Sequence, residues 1–274
     1  MQYLAIGHVC HDILPGGRVL GGTVTFSALT ALALGWRAAI VTRAHPAIDL
    51  APLRPAECVC LPDAATTTFE NIYSPAGRVQ ILHAVAGPIR TIDLPARLRR
   101  AEVIHLAPIA NEVDPALVGA FDDALIGVTP QGWLRQWDAS GRVAPRTWTE
   151  AEAILNHVDA AVLSIDDVDG DWAQIERWAA LARVFVVTQG RAGCTVYVHG
   201  ARAQVPAPPV SEVDSTGAGD IFAAAFFMRL KRSGDAVLAA RFANCIAARS
   251  VTRRGLDSVP TPPDVVGCEK RATV

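Results

Sequence analysis

Residues 214–227 read Asp-Ser-Thr-Gly-Ala-Gly-Asp-Ile-Phe-Ala-Ala-Ala-Phe-Phe, a glycine-rich turn that leads directly into an apolar helix. Because glycine has no Cβ, the backbone N–H groups at the start of such a helix can approach and bind an anion. Asp220 stands in the first helical turn, where its carboxylate can take a proton from a hydroxyl group while the amides stabilise a transferred phosphoryl group. The plainer alternative is a tight turn whose acid compensates the helix dipole. These residues alone leave both interpretations open.

The rest of the chain alternates between strand and helix patterns. Apolar runs at 3–9 and 37–42 predict two buried strands, and the Ala- and Leu-rich segment at 24–34 between them predicts a helix. This βαβ unit implies parallel strands. The alternation resumes after Pro95, with strands predicted at 102–106, 125–128, 160–163, 184–187, 194–198 and 202–205, and helices at 115–123, 150–157, 171–182, 218–232 and 235–251. The expected fold is one doubly wound α/β domain over residues 1–274, with a mostly parallel sheet flanked by helices.

One stretch interrupts this alternation. Residues 66–73 and 78–82 are rich in β-branched and aromatic side chains, and turn-forming residues at 74–77 separate them. They predict a β-hairpin that stands away from the main sheet. Together with the loop at 10–20, the segment at 66–86 is expected to form a small β lid.

The composition excludes several classes of protein. The chain has 274 residues, 51% of them hydrophobic, and a net charge of −2, which rule out a disordered chain and give no reason to expect nucleic acid or a membrane as partner. The longest uncharged run, at 19–36, is too polar and glycine-rich to span a bilayer, and the first residues do not resemble a signal peptide. The six scattered cysteines lack zinc-site spacing and are expected to be free thiols in a reducing compartment. We therefore expect a soluble cytoplasmic protein without a structural metal.

A second candidate site lies near the N-terminus. Asp12 follows the first predicted strand, at the edge of a parallel sheet where ligands bind, and can accept hydrogen bonds from sugar or polyol hydroxyls. Gly21 and Gly22 precede the first helix and permit a small ligand to approach the backbone. Taken by themselves, these residues favour the plainer interpretation, a solvated loop acid and an ordinary glycine turn. The neighbouring His8 and His11 are expected to be loop or core residues and receive no role.

Other motifs for phosphate binding and nucleophilic catalysis are missing from the sequence. It has no G-x-x-x-x-G-K-[ST] loop, no G-x-G-x-x-G after the first strand and no G-x-S-x-G elbow. Gln131 and Arg135 follow a strand end and are therefore candidates for a pocket. The intervening Trp133 and the following Trp137 favour instead a loop that packs onto the sheet.

The stretch from Asp214 to Phe222 closely resembles the C-terminal signature of the ribokinase/phosphofructokinase-B family of sugar kinases. The glycine pair at 21–22, followed by an Ala- and Leu-rich helix, is similar to the N-terminal signature of that family. The resemblance extends from the first strand to Pro260. It implies a ribokinase-like fold and an ATP- and Mg²⁺-dependent transfer of a phosphoryl group to a hydroxyl of a small polyol or sugar. The expected assembly is a monomer or a homodimer.

The resemblance also implies roles for individual residues. Asp220 matches the catalytic base, and Asp167 matches an acid that organises Mg²⁺ through water, in a segment where Ser164 replaces the usual Asn. The other matches are Gly217, Ala218 and Gly219 for the anion hole; Asp12, Gly21 and Gly22 for the substrate; Ser164, Thr188, Gly190, Gly193, Asn244 and Gly255 for the nucleotide; and Asp214, Thr216 and Ser258 for a monovalent cation such as K⁺.

Phe26 departs from the family pattern, because ribokinase-like members place an Asn there, and a ribose-type contact is therefore expected to be missing. The segments within 67–95 and at 191–197 are similar to the plant myo-inositol kinase branch, so myo-inositol is the first expected acceptor. The alternatives are a nucleoside kinase of the same fold and a catalytically silent sugar- or nucleotide-binding module. Asp220 argues against the silent module, because a binding protein needs no base there.

Overall fold

The computed structural model describes residues 1–74 and 77–272 of the chain. The strands are β1 (Gln2–Ile6), β2 (Cys10–Leu14), β3 (Gly17–Gly21), β4 (Arg37–Ala44), β5 (Glu57–Pro62), β6 (Thr68–Ser74), β7 (Gly77–Ala84), β8 (Val103–Leu106), β9 (Leu125–Val128), β10 (Arg135–Trp137), β11 (Val143–Pro145), β12 (Ala160–Ser164), β13 (Val184–Thr188), β14 (Cys194–Val198) and β15 (Ala201–Val205). The helices are α1 (Thr23–Ala33), α2 (Ala151–Leu155), α3 (Trp172–Ala179), α4 (Ala218–Ser233), α5 (Ala236–Ser250) and α6 (Pro262–Ala272).

Within the described residues the main sheet has nine strands, in the order β15-β14-β13-β12-β9-β8-β1-β4-β5. The strands from β13 to β5 run parallel, and β14 and β15 add an antiparallel edge. Helices α1, α4, α5 and α6 cover one face, while α2 and α3 cover the other, each over its own apolar core. Strands covered on both faces carry apolar residues throughout, which is why continuous apolar runs predict them. The predicted mostly parallel, helix-flanked sheet is confirmed.

A small sheet follows the carboxyl ends of β1 and β5, with the strand order β3-β2-β6-β7. Strands β2 and β6 are parallel, and the other two pairs are antiparallel. The hairpin expected within 66–86 is present as β6 and β7, and its predicted turn residues Pro75 and Ala76 lie outside the described residues. The segment at 10–20, expected as a loop, is the β2–β3 hairpin instead. No apolar alternation predicts this hairpin, because most of its side chains are partly exposed on both faces.

The helix predicted at 115–123 is wrong. The structure has a short 3₁₀ turn at Pro115–Gly119, which Asp114 caps by accepting a hydrogen bond from the Ala116 amide (3.0 Å). Gly119 is a poor helix former, so the turn does not extend. Strand β5 and the β10–β11 hairpin carry no pattern that predicts them, since both are short and only partly buried. None of the helices within the described residues is long and apolar enough to cross a membrane.

The helices α5 and α6 are joined by a disulfide between Cys245 and Cys268, whose Cα atoms are 5.5 Å apart. The expectation of six free thiols is therefore wrong. The two cysteines are 23 residues apart in the sequence, and only the packing of α6 against α5 brings them together. The free cysteines are Cys10, Cys58, Cys60 and Cys194.

Candidate active site

A cleft of about 810 Å³ lies between the carboxyl end of the main sheet and the small sheet. Its volume is typical of a small-molecule site. The walls come from β2, β6 and β7, from the loops after β8, β9, β12 and β13, and from the first turns of α1 and α4. The predicted site residues that line it are Asp12, Gly22, Ser164, Thr188, Gly190, Gly193, Gly217, Ala218, Gly219, Asp220 and Asn244. Gly21, Asp167 and Gly255 do not line the cleft; Gly21 contacts Asp12, and Asp167 contacts Ser164 and Gln131, which do line it.

The first turn of α4 forms the floor of the cleft. Gly217 caps the helix with φ of +76°, a backbone conformation that favours glycine. A Cβ at this position would stand 2.6 Å from the ring of Phe26, so the ring packs directly against the turn. The N–H groups of a first helical turn lack partners within the helix and attract an anion. In this structure the Ala218 amide donates to the Ser215 carbonyl (3.1 Å).

Asp220 is partly buried in the floor of the cleft and faces the space between the two walls. Burial raises the pKa of its carboxyl group to about 6, and a hydrogen bond from the Thr23 side chain and the charge of Arg135 oppose that rise. The nearby carboxylates of Asp167 and Asp12 raise it further. A carboxylate with a pKa near 6 is ionised at neutral pH and is a stronger base than an ordinary aspartate.

Asp12 projects into the cleft from β2 of the small sheet. Gly21 lies diagonally opposite on β3, and a Cβ there would collide with the Asp12 carboxylate, so this glycine makes room for the acid. Burial raises the pKa of Asp12 to about 6, against the lowering effect of the Arg135 charge. Gly22, with φ of +93°, turns the chain from β3 into α1. Asp12 and Asp220 thus stand on different walls of one cleft.

Arg135 and Gln131 also line the cleft, although the tryptophans of their segment favoured a packing role. The interpretation of Trp133 is correct, since its buried ring stacks on Trp148. Arg135 donates from Nη1 to the Ile109 carbonyl (3.2 Å), and its Cζ lies 5.7 Å from the centroid of the Phe69 ring. The segment therefore packs through its tryptophan and presents its polar side chains to the site.

The small sheet contributes an amide pair that no sequence motif marks. Gln80 donates from Nε2 to Oδ1 of Asn71 (3.0 Å) across the β6–β7 ladder, and both line the cleft. Phe69, two residues before Asn71, lies opposite Asp12 in the β2–β6 register. Alternation along β6 places Phe69 and Asn71 on the face that carries Asp12. This alternation is the signal in the sequence that could have found them.

The other half of the cleft has a largely apolar wall formed by Ala207, Pro208, Pro209, Val210, Ala247, Ala248 and Val251. Asn244 of α5 is almost fully buried there and donates from Nδ2 to the Val205 carbonyl (2.9 Å). Arg191 at the rim is paired with Glu212 (3.3 Å). Gly255, expected in this half, instead donates its N–H to Oδ2 of Asp214 (3.3 Å). Such a wall suits a planar aromatic ring better than a small polyanion.

The oxygen ligands near the floor fit the magnesium ion that the family implies. Asp167 accepts hydrogen bonds from the Ser164 amide (2.9 Å) and from Nε2 of Gln131 (3.1 Å), and Asp166 lines the cleft beside it. Mg²⁺ needs only one or two carboxylates, because water and substrate phosphates complete its shell. No cluster of three or more acidic, His or Cys ligands occurs among the described residues. Residues that bind a metal mainly through water therefore fit the site, and a closed protein cage does not.

Of the residues matched to a monovalent-cation site, Asp214 and Thr216 directly precede α4, and Ser258 lies in the turn at Gly255–Ser258. Asp214 accepts hydrogen bonds from the amides of Thr216 (2.9 Å) and Gly255 (3.3 Å). The hydroxyl of Ser258 is buried and has no hydrogen-bond partner within residues 1–74 and 77–272. A cation role for these residues stays a prediction.

The chain is similar to proteins of known activity. A family model described as pfkB family carbohydrate kinase matches residues 146–262. An inositol 3-kinase from Oryza sativa subsp. japonica is 31% identical over 95% of this chain and 70% of that protein. Fructokinase-1 from the same organism is 29% identical over 62% of this chain and 58% of that protein. The structure of a pyrophosphate-dependent kinase in the ribokinase family, complexed with a pyrophosphate analog and myo-inositol, superposes with a TM-score of 0.78 at 22% identity, covering 95% of this chain and 96% of that one.

Proposed function

The chain belongs to the pfkB family of carbohydrate kinases and has the predicted ribokinase-like fold, and from this premise we propose that it transfers the γ-phosphoryl group of ATP to a hydroxyl of myo-inositol. One observation carries the proposal. Asp220, at the glycine-rich start of α4, faces a cleft whose acceptor half is lined by Asp12 and by amide and guanidinium side chains. A base beside an anion-binding helix start, opposite hydroxyl-binding groups, is the arrangement that phosphoryl transfer to an alcohol requires.

The transfer needs a deprotonated hydroxyl and stabilisation of the phosphoryl charge. In our proposal Asp220 takes the proton of the attacking hydroxyl, because its pKa of about 6 lies close to neutral pH. The N–H groups at the start of α4 donate to the phosphoryl oxygens, over which the negative charge is spread in the transition state. Asp167 would hold Mg²⁺ through water, and the ion would supply further positive charge beside the phosphates.

The acceptor half suits a compact ring with hydroxyls on every side. Carboxylate, amide and guanidinium groups surround it, and the side chains that supply them are Asp12, Asn71, Gln80, Gln131 and Arg135. Phe26 and Phe69 add apolar surface that can pack against the C–H groups of the ring. The 31% identity to an inositol 3-kinase supports the same acceptor. Fructose is the second candidate acceptor. The fructokinase relative supports it, but its match covers a smaller part of the chain than the match to the inositol 3-kinase.

ATP is the proposed donor because of the apolar wall beside Asn244. Burial of an adenine ring against Pro208, Ala247 and Val251 gives binding energy that pyrophosphate cannot obtain. A pyrophosphate site would instead need several cations, and Arg191 is already paired with Glu212. The pyrophosphate-dependent kinase of similar fold makes this comparison of the two donors necessary, since pyrophosphate has no adenine ring.

The small sheet is proposed as the lid of this site. It carries Asp12, Asn71 and Gln80, so movement of the sheet toward α4 would enclose the acceptor and exclude water. Water otherwise competes with the sugar hydroxyl for the phosphoryl group.

The test is a steady-state comparison of acceptors and donors. Release of ADP from ATP and Mg²⁺ is measured with myo-inositol, fructose, ribose and adenosine. Each acceptor is then tested with pyrophosphate as donor, and release of inorganic phosphate is measured. We expect the highest kcat/KM with myo-inositol and ATP. A higher kcat/KM with another acceptor refutes the inositol proposal, and a preference for pyrophosphate refutes the donor proposal.

A further inference from the structure

In the part of the chain that the structure describes, the backbone passes between the main sheet and the small sheet at four places, and all four meet at one histidine. These crossings are residues 7–9 between β1 and β2, Gly22 between β3 and α1, residues 63–67 between β5 and β6, and the segment that begins at Val85 after β7. His8 lies in the first crossing and is completely buried. The sequence gives no reason to single it out, because its partners are 59 and 79 residues away.

The imidazole of His8 binds two of the other crossings. Its Nε2 lies 3.0 Å from the Gly87 carbonyl oxygen, and its Nδ1 lies 2.7 Å from Oγ1 of Thr67. Nε2 must donate, because a carbonyl can only accept, so Nδ1 accepts the Thr67 hydroxyl proton in the neutral ring. Oγ1 of Thr67 in turn accepts the Ala86 N–H (3.1 Å). Every polar atom of this set is thus used, with one consistent direction of donation.

The backbone of His8 contacts the remaining crossing and the main sheet. A Cβ on Gly22 would stand 2.5 Å from the His8 carbonyl oxygen, so the turn from β3 into α1 packs directly on this residue. The His8 N–H donates to Oε1 of the buried Glu112 (2.9 Å), which also accepts the amide of Ala110 through Oε2 (2.7 Å). Glu112 thereby joins the histidine to the loop that follows β8.

We propose that His8 is a positioning residue that holds together the chain crossings at the base of the small sheet, about which that sheet can close, and so sets where Asp12 meets the acceptor. Asp12 lies only four residues beyond His8, and the crossings that His8 binds lead directly into β6 and out of β7. The strands that carry Asp12, Asn71 and Gln80 therefore leave the main sheet at the point that His8 holds. The assignment to the acceptor rests on the proposed function, whereas the anchoring of the small sheet does not.

The test uses Thr67→Val, which removes the hydroxyl between His8 and Ala86 and keeps the shape of the side chain. His8→Gln is the second variant, because the glutamine amide can donate to Gly87 while the ring atom Nδ1 that accepts from Thr67 is removed, and it is expected to change exchange in the same strands as Thr67→Val. Thr30→Val is the matched control: Thr30 is equally buried, in α1, and its hydroxyl has no hydrogen-bond partner in the described parts of the chain.

Amide hydrogen exchange tests the anchor without any need for activity. Loss of a buried hydrogen-bond pair is expected to speed exchange in β2 and β7 by about tenfold or more, with exchange in β8 and β12 unchanged. Thr30→Val should leave the exchange rates in both pairs of strands unchanged. If Thr67→Val leaves exchange in β2 and β7 unchanged, or speeds exchange equally in all four strands, the proposal is overturned. This measurement does not depend on which molecule the protein phosphorylates.

Kinetics test the link to Asp12. Thr67→Val is expected to lower kcat/KM for the acceptor by about tenfold and to leave the KM of the donor within about twofold. In an Asp12→Asn background the same change should have little further effect, because the residue through which it acts is already impaired. An equal rise of both KM values, or full additivity with Asp12→Asn, overturns the positioning role. If no acceptor is phosphorylated at all, the proposed function fails and the exchange measurement alone decides on the anchor.

Discussion

Replacement of Asp220 by Asn is the sharpest test of the chemistry assigned to the start of α4. The amide keeps the size of the carboxylate and can still accept from Thr23, whose hydrogen bond to Asp220 lowers the pKa of the acid. It cannot take a proton. With a pKa raised to about 6, Asp220 is mostly ionised at pH 7.5, which is the form that can act as a base.

The expected loss in kcat is ~10²–10⁴-fold, the usual contribution of a general base, which corresponds to about 2.7–5.4 kcal/mol in the activation free energy. The assay is acceptor-dependent ADP release at saturating substrates and pH 7.5. Asp235→Asn is the control, because Asp235 is the N-cap of α5 and accepts from the amides of Val237 and Leu238 (both 2.9 Å), a role that Asn fulfils equally well. A kcat for Asp220→Asn within about threefold of the unmodified protein would refute the assignment of the base.

The same variant has an expected effect on stability with a definite sign. A carboxyl group whose pKa is raised to about 6 on folding binds its proton more tightly in the folded state, so its ionisation lowers stability as pH rises from about 4 through 6. Asn removes this contribution. Asp220→Asn should therefore have a Tm at pH 7.5 that is equal to or higher than that of the unmodified protein. A large fall in Tm would mean that the variant loses activity through its fold.

Three further predictions concern the walls of the cleft. Asp12→Ala should raise the KM for the acceptor by at least about tenfold and the KM for ATP by less than about twofold, because the Asp12 carboxylate faces the acceptor. A selective loss of ATP affinity would show that the acceptor half and the donor half of the cleft are reversed. The value of kcat/KM should fall as pH drops below about 6, where Asp220 and Asp12 take up protons. Arg135→Gln should move this acid limb to higher pH, because the Arg135 charge lowers both pKa values. An acid limb that stays in place contradicts the assignment of the limb to these two carboxylates. Gly217→Ala should lower Tm by roughly 2–8 °C and abolish most activity, because alanine is strained at φ of +76° and its Cβ would displace Phe26. The control Gly234→Ala, at φ of +67° in open space, should lower Tm alone. Equal activity losses in the two variants would exclude a specific role for the Phe26 contact.

The parts of this protein that sequence patterns predict are those in which the information is local. The turn at 214–220 and the inner strands of the main sheet are examples, because a glycine-rich helix start and a doubly covered strand each have a signature within a few residues. The β2–β3 hairpin has no such signature, since its side chains are partly exposed on both faces. The disulfide of α5 and α6 depends on helix packing, which no spacing reveals.

The candidate site shows the same division. The positions of Asp220 and Asp12 follow from their places after a glycine turn and after the first strand. Arg135 enters the cleft only because Trp133 packs its segment against Trp148, and Gln80 reaches Asn71 only in the register of β6 and β7. The role proposed for His8 depends on contacts with Thr67 and Gly87, which are distant in the chain. Such residues are found when the register and the packing are known.

Phosphorus NMR of the complete reaction gives the most direct test of phosphoryl transfer from ATP to a hydroxyl of a polyol. The protein is mixed with ATP, Mg²⁺ and myo-inositol, and the phosphorus signals are followed until ATP is consumed. We expect the signals of ADP and of a phosphate monoester of inositol to grow together, and both to be absent without inositol. Growth of ADP together with free inorganic phosphate would show transfer to water, and an unchanged ATP spectrum would show no transfer; either result contradicts the account.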